Sequence, residues 1–257
     1  MTNQRIAAGR PPLRLAMSSL LRADALVLLR NKVSMTLSLL LPIVILVATT
    51  FGKTRSRLGG PELIIGLALT LGLLTSCLLG YSLSLAHDRE VGVLQRLRVT
   101  PSPTWIIMTS RIVIQVATNL IASVIVVIVG AILHGLSLNP AQYALVLAIA
   151  ALGAAMILAI GQALVGLVKS TAAINAIGRL LFIVLVLLGI LGGTGILGDT
   201  IKAIAAWSPV GALMTLFSDV LDKAAWGAQD GYSLLASLGY ILVFSFIGIR
   251  WFRWDSQ

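Results

Sequence analysis

Residues 63–101 read LIIGLALTLGLLTSCLLGYSLSLAHDREVGVLQRLRVTP. The first part, 63–86, is a charge-free apolar run, and roughly 20 such residues cross a bilayer as a helix. The second part is a polar island that opens with Asp88, Arg89 and Glu90 and closes at Pro101. A spanning run joined to a charged island fixes the class of the chain. The remaining residues repeat that pattern. Of 257 residues, 58% are hydrophobic and only 11% charged, against about 25% charged in an average soluble domain. Mean hydropathy is +1.00.

Working outward, further runs of spanning length lie at 33–52, 105–133, 141–168, 174–191 and 232–249. No Lys, Arg, Asp or Glu stands between Arg111 and Lys169, a stretch too long for one helix, and Gly135-Leu136-Ser137-Leu138-Asn139-Pro140 is the natural turn within it. The expected fold is therefore an all-α membrane protein with six transmembrane helices, forming one domain over residues 1–257. Residues 1–32 make a tail with an interfacial helix, and 33–250 make the six-span bundle. Pro42 predicts a kink in the first span.

Six spans put both termini on one side, and the positive-inside rule chooses that side. With the termini in the cytoplasm, the inner segments hold Arg5, Arg10, Arg14, Arg22, Arg30 and Lys32, then Arg89, Arg96, Arg98 and Arg111, then Lys169, Arg179, Arg250 and Arg253. On the outer side Lys53, Arg55, Arg57, Lys202 and Lys223 are balanced by Glu62, Asp199, Asp219, Asp222 and Asp230. The whole net charge of +10 thus falls inside. It is explained by topology, without a nucleic-acid partner. Arg111 and Arg179 sit near inner ends of spans and read as snorkelling anchors.

Two regions flank the spans. Residues 13–31 place Arg14, Ser18 and Arg22 on one helical face, with Arg30 further on, and Leu13, Met17, Leu20 and Leu28 on the other. That pattern reads as a helix lying along the inner leaflet, with Asp24 interrupting its apolar stripe. Residues 192–230 are apolar but broken by Gly and Pro. The pieces 201–207 and 210–221 are too short to span, and read as re-entrant or interfacial helices on the outer side before the last span. Trp207 and Trp226 suit the headgroup layer there.

No catalytic constellation and no metal site emerges. His87, His134 and Cys77 are scattered, whereas a metal needs clustered ligands. Gly52-Lys53-Thr54 imitates the end of a P-loop, but Val47 stands where the motif needs glycine. Gly193-Thr194-Gly195-Ile196-Leu197-Gly198 matches G-x-G-x-x-G, yet follows a spanning helix rather than a strand. The six runs carry no Asp or Glu, so the usual proton relay of a secondary transporter is missing from them. Such a transporter, working without an ATPase, is the reading from a different class.

The island remains. Residues 89–98 make about three helical turns, with Val91, Val93, Leu94 and Leu97 as an apolar stripe and Arg89, Glu90, Gln95, Arg96 and Arg98 around it. Gly92 lets a partner backbone approach, and Pro101 and Pro103 end the helix. Physics alone leaves two uses open: a connector lying flat on the membrane, or a helix docked in the groove of a cytosolic partner.

The segment Asp88-Arg89-Glu90-Val91-Gly92-Val93-Leu94-Gln95-Arg96-Leu97-Arg98-Val99-Thr100-Pro101 resembles the cytoplasmic coupling segment of ABC type-2 exporter permeases. Glu90, Gly92, Leu94, Leu97 and Pro101 match position by position, while Val91 and Val93 are more apolar than is usual there. Ser208-Pro209-Val210 before an apolar helix is similar to the family's outer segment. The resemblance implies a permease subunit of an ATP-driven exporter in the bacterial inner membrane. Two permeases, identical or related, would assemble with two copies of an ATP-binding subunit that carries ATP and magnesium; this chain itself would hold no cofactor. Asp88, Arg89, Glu90, Val91, Gly92, Leu94, Arg96, Leu97 and Arg98 would form the coupling helix, with the interfacial helix bearing Arg14, Arg22 and Arg30 beside it. A drug, antibiotic or amphiphilic lipid is the expected cargo, with lipid-linked or polymer export as the alternative. The small residues Gly72, Gly153, Gly161 and Gly166 would permit close helix packing, most simply within one subunit.

Overall fold

The computed structural model describes residues 13–30, 32–51, 60–93, 104–194, 198–223 and 226–251. Among them there is no strand. The helices, in order, are α1 (Leu13–Arg30), α2 (Lys32–Phe51), α3 (Pro61–Glu90), α4 (Thr104–His134), α5 (Pro140–Leu167), α6 (Thr171–Thr194), α7 (Asp199–Trp207), α8 (Pro209–Asp222) and α9 (Ala228–Trp251). The helices α3, α4, α5, α6 and α9 are each long and apolar enough to cross a membrane. In α2 the apolar stretch Leu39–Phe51 is shorter.

Local signals explain the boundaries. Asn139 accepts a hydrogen bond from the Gln142 amide, Gln142 Oε1 accepts one from the Asn139 amide, and Pro140 opens α5. This reciprocal cap satisfies donors that a helix start leaves free. Gly135, at φ +71°, ends the preceding helix in a conformation that other residues rarely adopt.

The bundle has an inside and an outside. Over their most apolar stretches α3 is 67% and α5 61% buried, against 22% for α6 and 17% for α9. Helices α3 and α5 form the centre. Their contact is close because a Cβ at Gly161 would stand 2.6 Å from Ser82 Oγ and 3.1 Å from the Cys77 carbonyl oxygen. Gly153 likewise lets α5 meet Leu73 of α3 and Leu213 of α8. These glycines serve packing within one chain.

Helix α8 belongs to the core. Val210, Leu213, Leu216 and Phe217 are fully buried against α3, α5, α6 and α9, and Leu213 reaches the middle of α3 and α5. An interfacial helix would leave one face toward lipid; α8 instead inserts among the long helices. The Ser-Pro pair creates its sharp entry. Ser208 accepts from the Gly211 amide at 3.0 Å, and Pro209 takes the first helical position. Helix α7 then folds back so tightly that a Cβ on Gly211 would stand on the Ala205 carbonyl oxygen.

The G-x-G-x-x-G match dissolves in this fold. Gly193 and Thr194 are the end of helix α6, residues 195–197 lie outside the described residues, and Gly198 has φ +89° before α7. Residues 52–54, which imitate a P-loop, also lie outside.

Candidate functional site

The two ends of the bundle differ in their chemistry. The near end carries the end of α3, the start of α4, the end of α5 and the start of α6. The far end carries α7, α8 and the start of α9.

At the near end, α3 does not continue through the island as one helix. It stops at Glu90; Val91 and Gly92 form a turn, and helical geometry resumes at Val93. The expectation of a single helix over 88–98 is corrected here. Gly92 adopts φ +73°, the left-handed position that closes a helix, with its amide on the Arg89 carbonyl oxygen. Its role is to end α3. Leu94, Arg96, Leu97, Arg98 and Pro101 lie outside the described residues.

Arg89 is the second correction. The sequence pattern puts it at the charged rim, yet it is 3% exposed. Its Nη1 donates to the Val165 carbonyl oxygen at 2.8 Å, and its Nη2 to those of Val168 and Lys169 at 2.9 and 2.7 Å. A helix leaves its last carbonyls without backbone partners and concentrates partial negative charge there. The guanidinium, with its fork of donors, answers both needs at the end of α5. Asp88 is also engaged within the chain, pairing with Arg111 of α4 at 2.5 Å. Arg111 is therefore an ion-pair partner and not a solitary snorkelling anchor. Glu90 and Val91 are exposed.

Helix α1 packs along α4 at the same end. Arg14 and Arg22 are exposed, as the interfacial reading expects, and the side chain of Arg30 lies outside the described set. Asp24, which interrupts the apolar stripe, accepts a hydrogen bond from Ser110 of α4 at 2.6 Å. A solitary acid in an otherwise apolar helix face is the sequence signal for such a tether.

Above this cluster α3 departs from α-helical geometry. Residues Leu74–Tyr81 form a π-helical stretch, a local widening that recurs at functional sites. It presents Ser76 to Gln115 of α4, whose Nε2 donates to Ser76 Oγ at 2.9 Å. Asn119, one turn on, donates to the Gln115 carbonyl oxygen at 2.8 Å. Pro42, Gly72, Asn119 and Ser123 line a small gap nearby. A polar strip thus runs from the near end toward the middle of the bundle.

The far end gathers acids. Asp230, 2% exposed, accepts from the Gly227 amide through Oδ2, while its Oδ1 has no donor. Asp219 of α8 lies within hydrogen-bond reach of it. Burial pushes the Asp219 carboxyl up to about 6; the hydrogen bond to Asp230 and the charges of Asp230 and Asp222 act in the same direction. Trp207 and Trp226 are half exposed at this end, and the Trp207 ring packs at a tilt against Tyr232, with centroids 5.8 Å apart. Among the described residues no group of His, Cys, Asp and Glu can hold a metal ion.

Comparison with protein families gives a match to the ABC-2 type transporter model over residues 16–221. The chain belongs to the ABC-2 type transporter family. The match covers α1 through α8, so it includes both the near-end cluster and the inserted helix. No curated protein matches the chain. Members of this family are the membrane components of transporters and generally work with an ATP-binding subunit. The chain is accordingly a multi-pass membrane protein and a permease domain, whose part in transport is passage rather than catalysis.

Proposed function

We propose that this chain is one of two permease subunits, identical or related, of an ATP-driven exporter in a bacterial inner membrane. Two copies of a separate ATP-binding subunit bind ATP and magnesium. Six helices, α2 to α6 and α9, span the bilayer with both termini in the cytoplasm. Helix α1 lies along the inner leaflet, and α7 and α8 enter from the outer side. The near end is the cytoplasmic end, a reading supported by the Arg-rich segments there.

One observation carries this reading. The ABC-2 match includes a central, mostly buried helix that ends at Glu90, with the Val91-Gly92 turn leading into the expected coupling segment. A push on that segment enters the bundle at its core. The cargo path is assigned to the interface between two permeases. The exposed sides of α6 and α9 that such an interface could use are apolar, with Leu180, Ile183, Leu187, Leu242, Phe246 and Ile249 exposed. This composition suits a drug, antibiotic or lipid of amphiphilic character.

The test is purification from native membrane. A P-loop ATPase should accompany the tagged chain, and amphiphilic compounds should raise its ATP hydrolysis in reconstituted vesicles. Isolation of the chain with no ATP-binding subunit overturns the reading. Stimulation by polymer precursors alone overturns the cargo assignment.

A further inference from the structure

Arg89 stands one residue from the end of a spanning helix, where Lys and Arg side chains commonly reach for water. It turns inward instead and binds three carbonyl oxygens at the end of α5 and just beyond it. A second bond reinforces the link: Thr171, at the start of α6, donates to the Ala86 carbonyl oxygen at 3.5 Å. The last turn of α3 is thus fastened to the α5–α6 junction. Further along, Gly161 keeps α5 against the Cys77 carbonyl and Ser82 of α3 with no side chain between. The Arg89 bonds close the near end of that same seam. Gly92, the break in α3, comes three residues later.

We infer that Arg89 is a strut, a positioning residue that makes the cytoplasmic ends of α3 and α5 move as one body. Displacement that enters the chain beyond Gly92 is then delivered to both central helices together. This rests on the reading that an ATPase engages the segment after Gly92. An arginine used to grip the ATPase would be exposed, as Glu90 is, and a lipid anchor would be exposed too; Arg89 is neither. Its planar fork reaches three acceptors in fixed directions, which a lysine ammonium does not reproduce. A strut without a carboxylate partner also resists rearrangement. The carbonyls belong to the backbone at and just past the end of α5, and a freed guanidinium in this site would stand desolvated.

The experiment is pulsed electron resonance on the permease–ATPase complex in lipid nanodiscs, with Cys77→Ser as background. One spin-label pair sits at His87 and Lys169, whose side chains are exposed across the seam. A reference pair sits at His87 and Arg250, which is exposed at the end of α9. Distances are measured without nucleotide and with ATP trapped by vanadate. With Arg89 intact, the reference distance should change on trapping while the His87–Lys169 distance stays fixed. In Arg89→Gln the His87–Lys169 distance should change as well, while ATP hydrolysis persists. Arg89→Lys should fall between them, and it carries the test if the Gln variant fails to fold. A His87–Lys169 distance that shifts with Arg89 intact overturns the strut. So does a fixed distance in the variants, or a reference pair that never moves. Absence of an ATPase from the preparation overturns the parent reading and the strut with it, and is recognised before any label is added.

Discussion

The near and far ends of the bundle both bury charge, and they do so in opposite ways. At the near end Arg89 meets carbonyl oxygens at a helix terminus, and Asp88 meets Arg111. Each charge has a partner of complementary sign. At the far end Asp219, Asp222 and Asp230 repel one another, and the Asp230 Oδ1 has no donor unless Asp219 supplies a proton. Removing a charge from water costs several kcal/mol unless something compensates. The near end compensates with partners built into the chain. The far end compensates by protonation, which depends on the solution. The first arrangement is fixed and the second is conditional, so the two ends are expected to respond differently to mutation and to pH.

The largest effect is expected at the far end, where backbone meets backbone. Gly211→Ala places a Cβ on the Ala205 carbonyl oxygen, and the α7–α8 turn cannot yield without moving the buried α8. The expected loss is about 3 kcal/mol, read as a fall in the melting temperature of the detergent-solubilised protein. Unchanged melting would show that α7 is loosely held.

The near-end ion pair comes second. Asp88→Asn leaves Arg111 without its carboxylate, but the pair is 16% and 24% exposed, so water softens the change. A loss of about 1 kcal/mol is expected. A double-mutant cycle with Arg111→Gln should return a coupling of that order, and a coupling of zero would remove the claim that this end is held by complementary charge.

The smallest effect is a pH dependence at the far end. The folded-state pKa of Asp219, about 6, lies above its ordinary value of 3.8. Its contribution to stability is therefore complete below about pH 4 and is lost as pH rises through about 6. Melting temperature should fall between those values and level off above them. Asp219→Asn should abolish the slope, whereas Asp88→Asn should leave it unchanged. A slope that survives Asp219→Asn would place the conditional charge elsewhere.

Much of the helical order was legible in the residues. The runs at 63–86, 105–133 and 141–168 coincide closely with α3, α4 and α5, because an uninterrupted apolar run of spanning length has few structural options. The Gly135–Pro140 turn was legible for a similar reason, since turn residues act locally, whereas the Ser208-Pro209 entry was marked only by its resemblance to the family's outer segment. The near-end cluster was only half legible. Its position in the chain was marked by the island, but the partners of Arg89 stand at Val165, Val168 and Lys169, in apolar or unremarkable sequence. Backbone carbonyls leave no trace in composition. The π-helical stretch at Leu74–Tyr81 was invisible too, since its residues read as an ordinary apolar run.

The sequence by itself determined the class and most of the helices, because hydrophobic length and local capping are properties of neighbouring residues, and its resemblance at Asp88–Pro101 pointed to the family. Only the tertiary structure decided which charges face inward and which helix fills the centre. Arg89 and Glu90 are adjacent and look alike as members of one charged island, yet one is buried and the other exposed. Helices α3 and α9 are both apolar along their length, yet one is central and the other peripheral. The reason is the same in both cases. A side chain's surroundings are set by which distant helix ends arrive beside it, and that depends on packing among all of them at once.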